Sequence, residues 1–207
     1  MNRTIAPAVL LIGAGVTAAA AFAALTRQVD IHGTRNFDGA VRRRFPKRRR
    51  PITKAAANAI GPLGKEFVHA PIALAVAGYI WARERRGAAA ATLVLASLAS
   101  TGTSRLFERV MKQRRPPPGR HSRVEPAFPS GHSLETTVVS LVAGYVLVRE
   151  GLASAHVAAP IAAATPVISG AARLYLDRHW PTDVIGGWLA GLSLAAGCLA
   201  LYETIAD

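Results

Sequence analysis

Apolar stretches without charge alternate with short basic segments along nearly the whole chain. Six stretches of 16 to 22 residues contain no Asp, Glu, Lys or Arg except for Glu135. A membrane helix needs about 20 apolar residues, and these runs are apolar on all sides rather than on one stripe. The pattern predicts an all-α fold, a six-helix transmembrane bundle crossing the cell membrane several times. The predicted spans are residues 5–25, 67–82, 87–104, 131–148, 151–172 and 184–202.

The first apolar run has a second interpretation, a secretory signal. A basic start at Met1-Asn2-Arg3 and the small residues Ala21-Phe22-Ala23 resemble a leader with a cleavage site. However, the run is longer than the 7 to 15 residues usual for a signal, which favours a retained helix. A length of 207 residues fits one domain. We therefore expect a single unit, in which residues 1–66 form the first helix and a basic interfacial segment and residues 67–207 form the core.

Small residues dominate the apolar runs, and the positive charges cluster outside them. Gly187-x3-Gly191 predicts close helix packing, more readily inside one chain than between two. The net charge is +13, and the densest basic cluster occupies residues 42–50. No aromatic platform for stacking bases is interleaved, so anionic lipid headgroups are the expected partner rather than nucleic acid. Phe37, Val41 and Phe45 recur every four residues, which indicates a short interfacial helix with arginines outward, although a solvated linker fits equally well.

The distribution of charge also bears on orientation. With six spans, the side that carries both termini has five basic residues and the other side has twenty. Counting positive residues would make the second side cytoplasmic. Some of those arginines serve chemistry as well as membrane insertion, so their number does not determine which side is cytoplasmic. The five are Arg3, Arg83, Arg85, Arg86 and Arg149.

Two short motifs carry the chemistry. The first is Pro-Ser-Gly-His at 129–132, and the second is Arg173-x5-His179-x3-Asp183. A neutral imidazole can attack phosphorus and a second one can protonate the leaving oxygen, while arginines hold phosphate oxygens. Ser130 is a good cap for a helix that begins near Gly131, and a helix N-terminus favours anions. Pro181 suits the first turn of the last helix, with His179 just ahead of it.

Together with Arg114-Arg115-Pro116, these motifs resemble the type 2 phosphatidic acid phosphatase family, whose site architecture also occurs in vanadium haloperoxidases. The resemblance covers about residues 67–207. It implies that His179 forms a phosphohistidine, that Asp183 orients it, and that His132 protonates the leaving group. It also implies a set of phosphate-binding groups, namely Arg115, Arg173, Ser130 and the amide of Gly131.

The chain departs from the family pattern at two positions. Glu108 stands where the family has a lysine, and Ala172 stands where it usually has a serine. On a helix Lys112 and Arg105 are neighbours of Glu108, and either can supply the missing cation. We favour Lys112.

These observations predict a membrane lipid phosphatase that acts on a phosphomonoester or diphosphate headgroup. The expected substrates are polyprenyl diphosphate, polyprenyl-phosphoryl phosphoribose, phosphatidic acid and phosphatidylglycerol phosphate. No cofactor or metal is expected, since the sequence has neither His-Glu-x-x-His nor clustered carboxylates. The alternative is a catalytically impaired lipid-binding or transport-related protein, disabled by Glu108. His69, His121 and His156 belong to no motif and are expected to be incidental.

Overall fold

The computed structural model describes residues 5–30, 32–45, 50–111 and 128–206. Within these ranges the chain forms helices and no strands, which agrees with the all-α prediction. Six helices are long and two are short. In chain order they are α1 (Ile5–Asp30), α2 (Arg35–Arg43), α3 (Pro51–Ile60), α4 (Glu66–Glu84), α5 (Gly87–Val110), α6 (Gly131–Arg149), α7 (Ala155–Tyr175) and α8 (Pro181–Ile205).

Helix α6 is the centre of the bundle. It packs against α5, α7 and α8, while α1 packs on α8 and α4 packs on α5. The face of α6 with Leu134, Val138, Val142 and Val146 is fully buried among apolar residues of its neighbours. A Cβ added at Gly191 would lie 2.7 Å from Cβ of Thr137 on α6. The small face of α8 therefore packs inside the chain, as predicted.

The six predicted runs all form helices, but the count of six membrane spans is not confirmed. Among the described residues, four helices are long and apolar enough to cross a membrane: Pro7–Asp30, Gly131–Arg149, Ala155–Tyr175 and Pro181–Ile205. Helices α4 and α5 are less apolar because they carry polar residues such as His69 and Ser97. Both of these side chains are buried against other helices.

The segment between α1 and α4 contains more structure than the single interfacial helix we expected. Helix α2 is present, but its buried residue is Asp38, whereas Phe37 is about half exposed. The expectation that all its arginines point outward is wrong for Arg42, which binds Asp177 at 3.2 Å. After α3 a single 3-10 turn, Gly61–Gly64, leads into α4 and contacts α6 and α7.

The far end of the bundle, where α4, α6 and α8 finish, has its own ionic network. Arg86 pairs with Glu150 at 2.9 Å, and Arg149 pairs with Glu203 at 3.0 Å. Tyr202 also donates a hydrogen bond to Glu150. The α4–α5 and α6–α7 turns thus share one side, as predicted, and both motifs lie at the opposite end.

Candidate active site

The first motif is held at the start of α6. The hydroxyl of Ser130 caps the helix by accepting from the backbone N–H of Ser133 at 3.4 Å, which confirms the predicted cap. The backbone N–H of Ser130 donates to the carbonyl of Asp183 at 2.9 Å. This hydrogen bond joins the two motifs directly. His132 follows in the first turn of α6 and is buried.

The second motif crosses from the end of α7 to the start of α8. Arg173 lies in the last turns of α7, and the chain turns there as the N–H of Arg178 donates to the Arg173 carbonyl at 3.0 Å. His179 stands two residues before Pro181, which begins α8 as expected. Its Nδ1 lies 3.8 Å from Oδ2 of Asp183. That separation is too long for a hydrogen bond, and the same oxygen accepts from the N–H of Trp180 at 2.7 Å.

Both histidines line one cavity of about 440 Å³. Its wall is formed by the start of α4, the last turns of α5 and the start of α6, with His179 from the loop before α8. The lining residues are Gly64, Lys65, Glu66, Phe67, Thr101, Ser104, Arg105, Glu108, Gly131, His132, Glu135 and His179. A proton donor and a nucleophile from separate loops can thus reach the same bound group.

The surroundings of His132 suit an anion. Positive charges of Arg173, Lys65 and Arg178 act on its ring. Its Nε2 is buried and has no hydrogen-bond partner among the described residues. A buried polar atom without a partner is uncommon in native proteins and calls for an explanation. A phosphate oxygen, or the oxygen of a leaving group, would supply the missing partner.

The 3-10 turn before α4 contributes residues that the sequence analysis missed. A Cβ at Gly64 would lie 2.6 Å from the carbonyl oxygen of His132, so this turn presses directly on the first motif. At its other end, a Cβ at Gly61 would lie 3.8 Å from the guanidinium of Arg173. Lys65, which directly follows Gly64, lines the cavity. The only signal in the sequence was a Gly-Pro-Leu-Gly turn before an apolar run.

Helix α2 is fastened to the second motif. The carboxylate of Asp38 accepts from the N–H of Thr182 at 3.0 Å and from its hydroxyl at 2.9 Å. A carboxylate at a helix N-terminus is stabilised by the free N–H groups there. Arg42 binds Asp177 and also lies over the ring of Trp180, 5.7 Å from its centre. Helix α2 therefore braces the loop that carries His179.

The remaining predicted residues fall into three groups. Gly131 lines the cavity with the histidines, whereas Ser130, Arg173 and Asp183 are almost completely buried beside it. Lys112 and Arg115, with the rest of the Arg-Arg-Pro motif, lie outside the described residues.

The departure at Glu108 is visible in the structure. Its side chain is exposed and contributes to the cavity wall. Arg105, one of the two cations expected to compensate, binds Glu66 at 2.5 Å. Lys65 brings another positive charge to the same wall. Among the described residues, no group of three or more His, Cys, Asp or Glu side chains is arranged to hold a metal ion.

A helical bundle that brings two histidines, an aspartate and a buried arginine to one end is the arrangement expected of a membrane phosphatase. The comparisons agree with this class. Residues 111–207 match the family model of the PAP2 superfamily.

A curated protein and a solved structure, both from Bacillus subtilis, are similar to this chain. Phosphatidylglycerophosphatase B of strain 168 is 36% identical over 107 residues, which are 45% of this chain and 50% of that protein. The alignment therefore spans about half the length of that relative. A crystal structure described as the first transmembrane PAP2 type phosphatidylglycerolphosphate phosphatase superposes with a TM-score of 0.80 at 27% identity. That match covers 93% of this chain and 97% of the other. Together with the four apolar helices long enough to cross a membrane, this match indicates a membrane protein that shares the fold of that structure.

Proposed function

We propose that this chain is a multi-pass lipid phosphatase of the cell membrane, with six spans and one catalytic unit. It removes phosphate from a lipid headgroup through a phosphohistidine on His179, without a metal. The observation that carries the proposal is the shared cavity, into which His132 and His179 both project from separate motifs. Arg173, Lys65 and Arg178 bring positive charge to His132, at the end of the cavity where the phosphate group would bind.

The reaction has two steps. Because Nδ1 of His179 faces Asp183, Nε2 is the nitrogen that attacks phosphorus. The N–P bond forms as the P–O bond to the lipid alcohol breaks. His132, protonated once the bound phosphate offsets the positive charges around its ring, gives that oxygen a proton. Water then attacks the phosphohistidine, the N–P bond breaks, and His132 takes a proton from the water. Inorganic phosphate and the lipid alcohol are the products.

Phosphate oxygens are bound by a set of cations and amides at the start of α6. Arg173 supplies a rigid planar donor from α7. The family has a lysine at the position of Glu108, and we assign the role of that lysine to Lys65. Lys65 lines the cavity and acts electrostatically on His132. The amide of Gly131 at the helix N-terminus, capped by Ser130, completes the set.

The substrate is a lipid because the catalytic loops lie at the ends of apolar helices, where a headgroup reaches the site while its tail stays in the bilayer. Phosphatidylglycerol phosphate is the first candidate, since the curated protein and the solved structure that resemble this chain are named for that lipid. Phosphatidic acid, polyprenyl diphosphate and polyprenyl-phosphoryl phosphoribose are the others. Anionic lipids hold the basic residues of α2 at the membrane surface.

The test is phosphate release by detergent-purified protein from these four lipids in excess EDTA. We expect release from at least one lipid in EDTA and none from His179→Ala, whose nucleophile is gone. A matched control is His156→Ala, because His156 is exposed on α7 at the far end of the bundle. Phosphate release by His179→Ala would refute the mechanism. So would a loss of wild-type phosphate release in EDTA that is reversed by adding a metal ion. Binding without turnover of any lipid would favour the lipid-binding alternative.

A further inference from the structure

A buried hydrogen-bonded chain of three side chains runs beside the catalytic cavity. Nδ1 of His69 on α4 lies 3.1 Å from the hydroxyl of Ser97 on α5. Its Nε2 lies 2.7 Å from Oε2 of Glu135 on α6. With the proton on Nε2, the ring donates to the carboxylate and accepts from the serine. His69, which the sequence analysis regarded as incidental, thus connects three helices.

Stability alone is a poor reason to keep this pair. His69 is 4% exposed and Glu135 is 8% exposed, so both polar groups have lost most of their water. Replacing a buried ionic pair by apolar residues of similar volume is often neutral or stabilising. The surrounding helices already pack through a continuous apolar core. A functional reason for the pair is therefore worth seeking in the cavity it adjoins.

Glu135 belongs to the cavity wall together with His132. The two residues are three positions apart on α6 and so share a face of the helix. Among the described residues, His69 is the one partner that hydrogen-bonds the Glu135 carboxylate, and it binds Oε2. The other oxygen, Oε1, lies near Gly131, 3.8 Å from where a Cβ of that glycine would be. His69 thus fixes one oxygen and leaves the second toward the phosphate-binding end of α6.

We propose that Glu135 determines specificity, selecting a hydroxyl-bearing phosphomonoester headgroup over a diphosphate, and that His69 is its positioning residue. The proposal rests on the proposed function and names the class of substrate for the same site. An ionised carboxylate only accepts hydrogen bonds, so it binds a hydroxyl of a glycerol or sugar attached to the phosphate. It repels a second phosphate bonded directly to the first, because neither group has a proton to share.

The expected order of substrates follows from this chemistry. Phosphatidylglycerol phosphate and polyprenyl-phosphoryl phosphoribose carry a hydroxyl close to the phosphoester and are preferred. Phosphatidic acid has no such hydroxyl and no second phosphate in the headgroup, so it is intermediate. Polyprenyl diphosphate is the poorest substrate.

The experiment compares kcat/KM for phosphatidylglycerol phosphate, phosphatidic acid and polyprenyl diphosphate between the wild type and Glu135→Gln. Glutamine keeps the length and an oxygen that accepts from His69, but it loses the charge. We expect the diphosphate to gain about tenfold relative to phosphatidylglycerol phosphate, with phosphatidic acid nearly unchanged as the internal reference. Glu135→Asp, which keeps the charge, should still reject the diphosphate. His69→Gln should move the ratio in the same direction as Glu135→Gln.

A matched control is Glu203→Gln, since Glu203 is also a buried carboxylate but belongs to the ionic network at the far end. It should leave the substrate ratio unchanged. A ratio within twofold of wild type in folded Glu135→Gln, or an equal shift in Glu203→Gln, would overturn the proposal.

The same selectivity is measured by equilibrium binding of the three lipids to His179→Ala, with and without Glu135→Gln. A shift in binding without turnover by the wild type would refute the proposed function and support the selectivity. Turnover with an unchanged ratio would refute the selectivity alone.

Discussion

Replacing Gly64 by alanine tests how closely the turn before α4 holds the first motif. The added Cβ would lie 2.6 Å from the carbonyl oxygen, 2.7 Å from Cα and 2.9 Å from Cβ of His132. Contacts below 3.0 Å essentially never occur for real Cβ atoms. Two of these three atoms are backbone in the first turn of α6, which is fastened to α8 through Ser130, so a side-chain rotation cannot relieve the clash.

The two segments must therefore separate by about 1 Å, and His132 moves with them. Overpacking of this kind costs about 1–3 kcal/mol of folding free energy. A displacement of about 1 Å in a catalytic group can cost about 100-fold in rate. We expect Gly64→Ala to lower kcat/KM about 100-fold and to lower the melting temperature by several degrees.

The assay is phosphate release from the preferred lipid, with thermal unfolding of the same samples in detergent. The control is Gly78→Ala in the middle of α4, where nothing lies within 4 Å of the added Cβ. Alanine is the better helix former, so this variant should retain full activity and stability. Wild-type activity and melting temperature in Gly64→Ala would show that the turn does not position His132.

Three other predictions concern the supports and the phosphate-binding groups. Asp38→Ala removes two acceptors from Thr182 at the start of α8, so it should cost about 1–3 kcal/mol in thermal unfolding and reduce turnover, while Asp38→Asn keeps one acceptor and should lose less. Lys65→Ala should raise KM about tenfold with little change in melting temperature, and Lys65→Arg should have a KM near that of the wild type. An unchanged KM in Lys65→Ala would show that Lys65 does not bind phosphate. Arg173→Lys keeps the charge but loses the planar fork, so kcat should fall about 100-fold, and a wild-type kcat would contradict a bidentate role.

The sequence was informative wherever the cause is local. Ser130 caps α6 and Pro181 begins α8 because capping and proline preferences act within a few residues. The four-residue repeat around Phe37 allowed a helix and a solvated linker equally, and the structure contains the helix. The buried face of α2 was not predictable. In the sequence Asp38 resembles an ordinary surface carboxylate, and only the structure shows that it binds Thr182.

His69 shows the same limit more clearly. Nothing adjacent in the chain indicates a role for it, and its partners lie on α5 and α6. Lys65 is similar, since a lysine before an apolar run is ordinary in a membrane protein. Both become part of the site only because α4 packs beside α5 and the turn before it contacts α6.

The sequence by itself determined the long apolar helices, the two histidine motifs and the chemistry that those residue types permit. Helix formation, capping and the reactivity of imidazole depend on residues and their near neighbours. Only the tertiary structure decided that His132 and His179 share a cavity, that α2 braces the second motif, and that Lys65 and Glu135 line the wall. These outcomes depend on which helix faces meet, and that is set by packing over the whole chain rather than by any one segment.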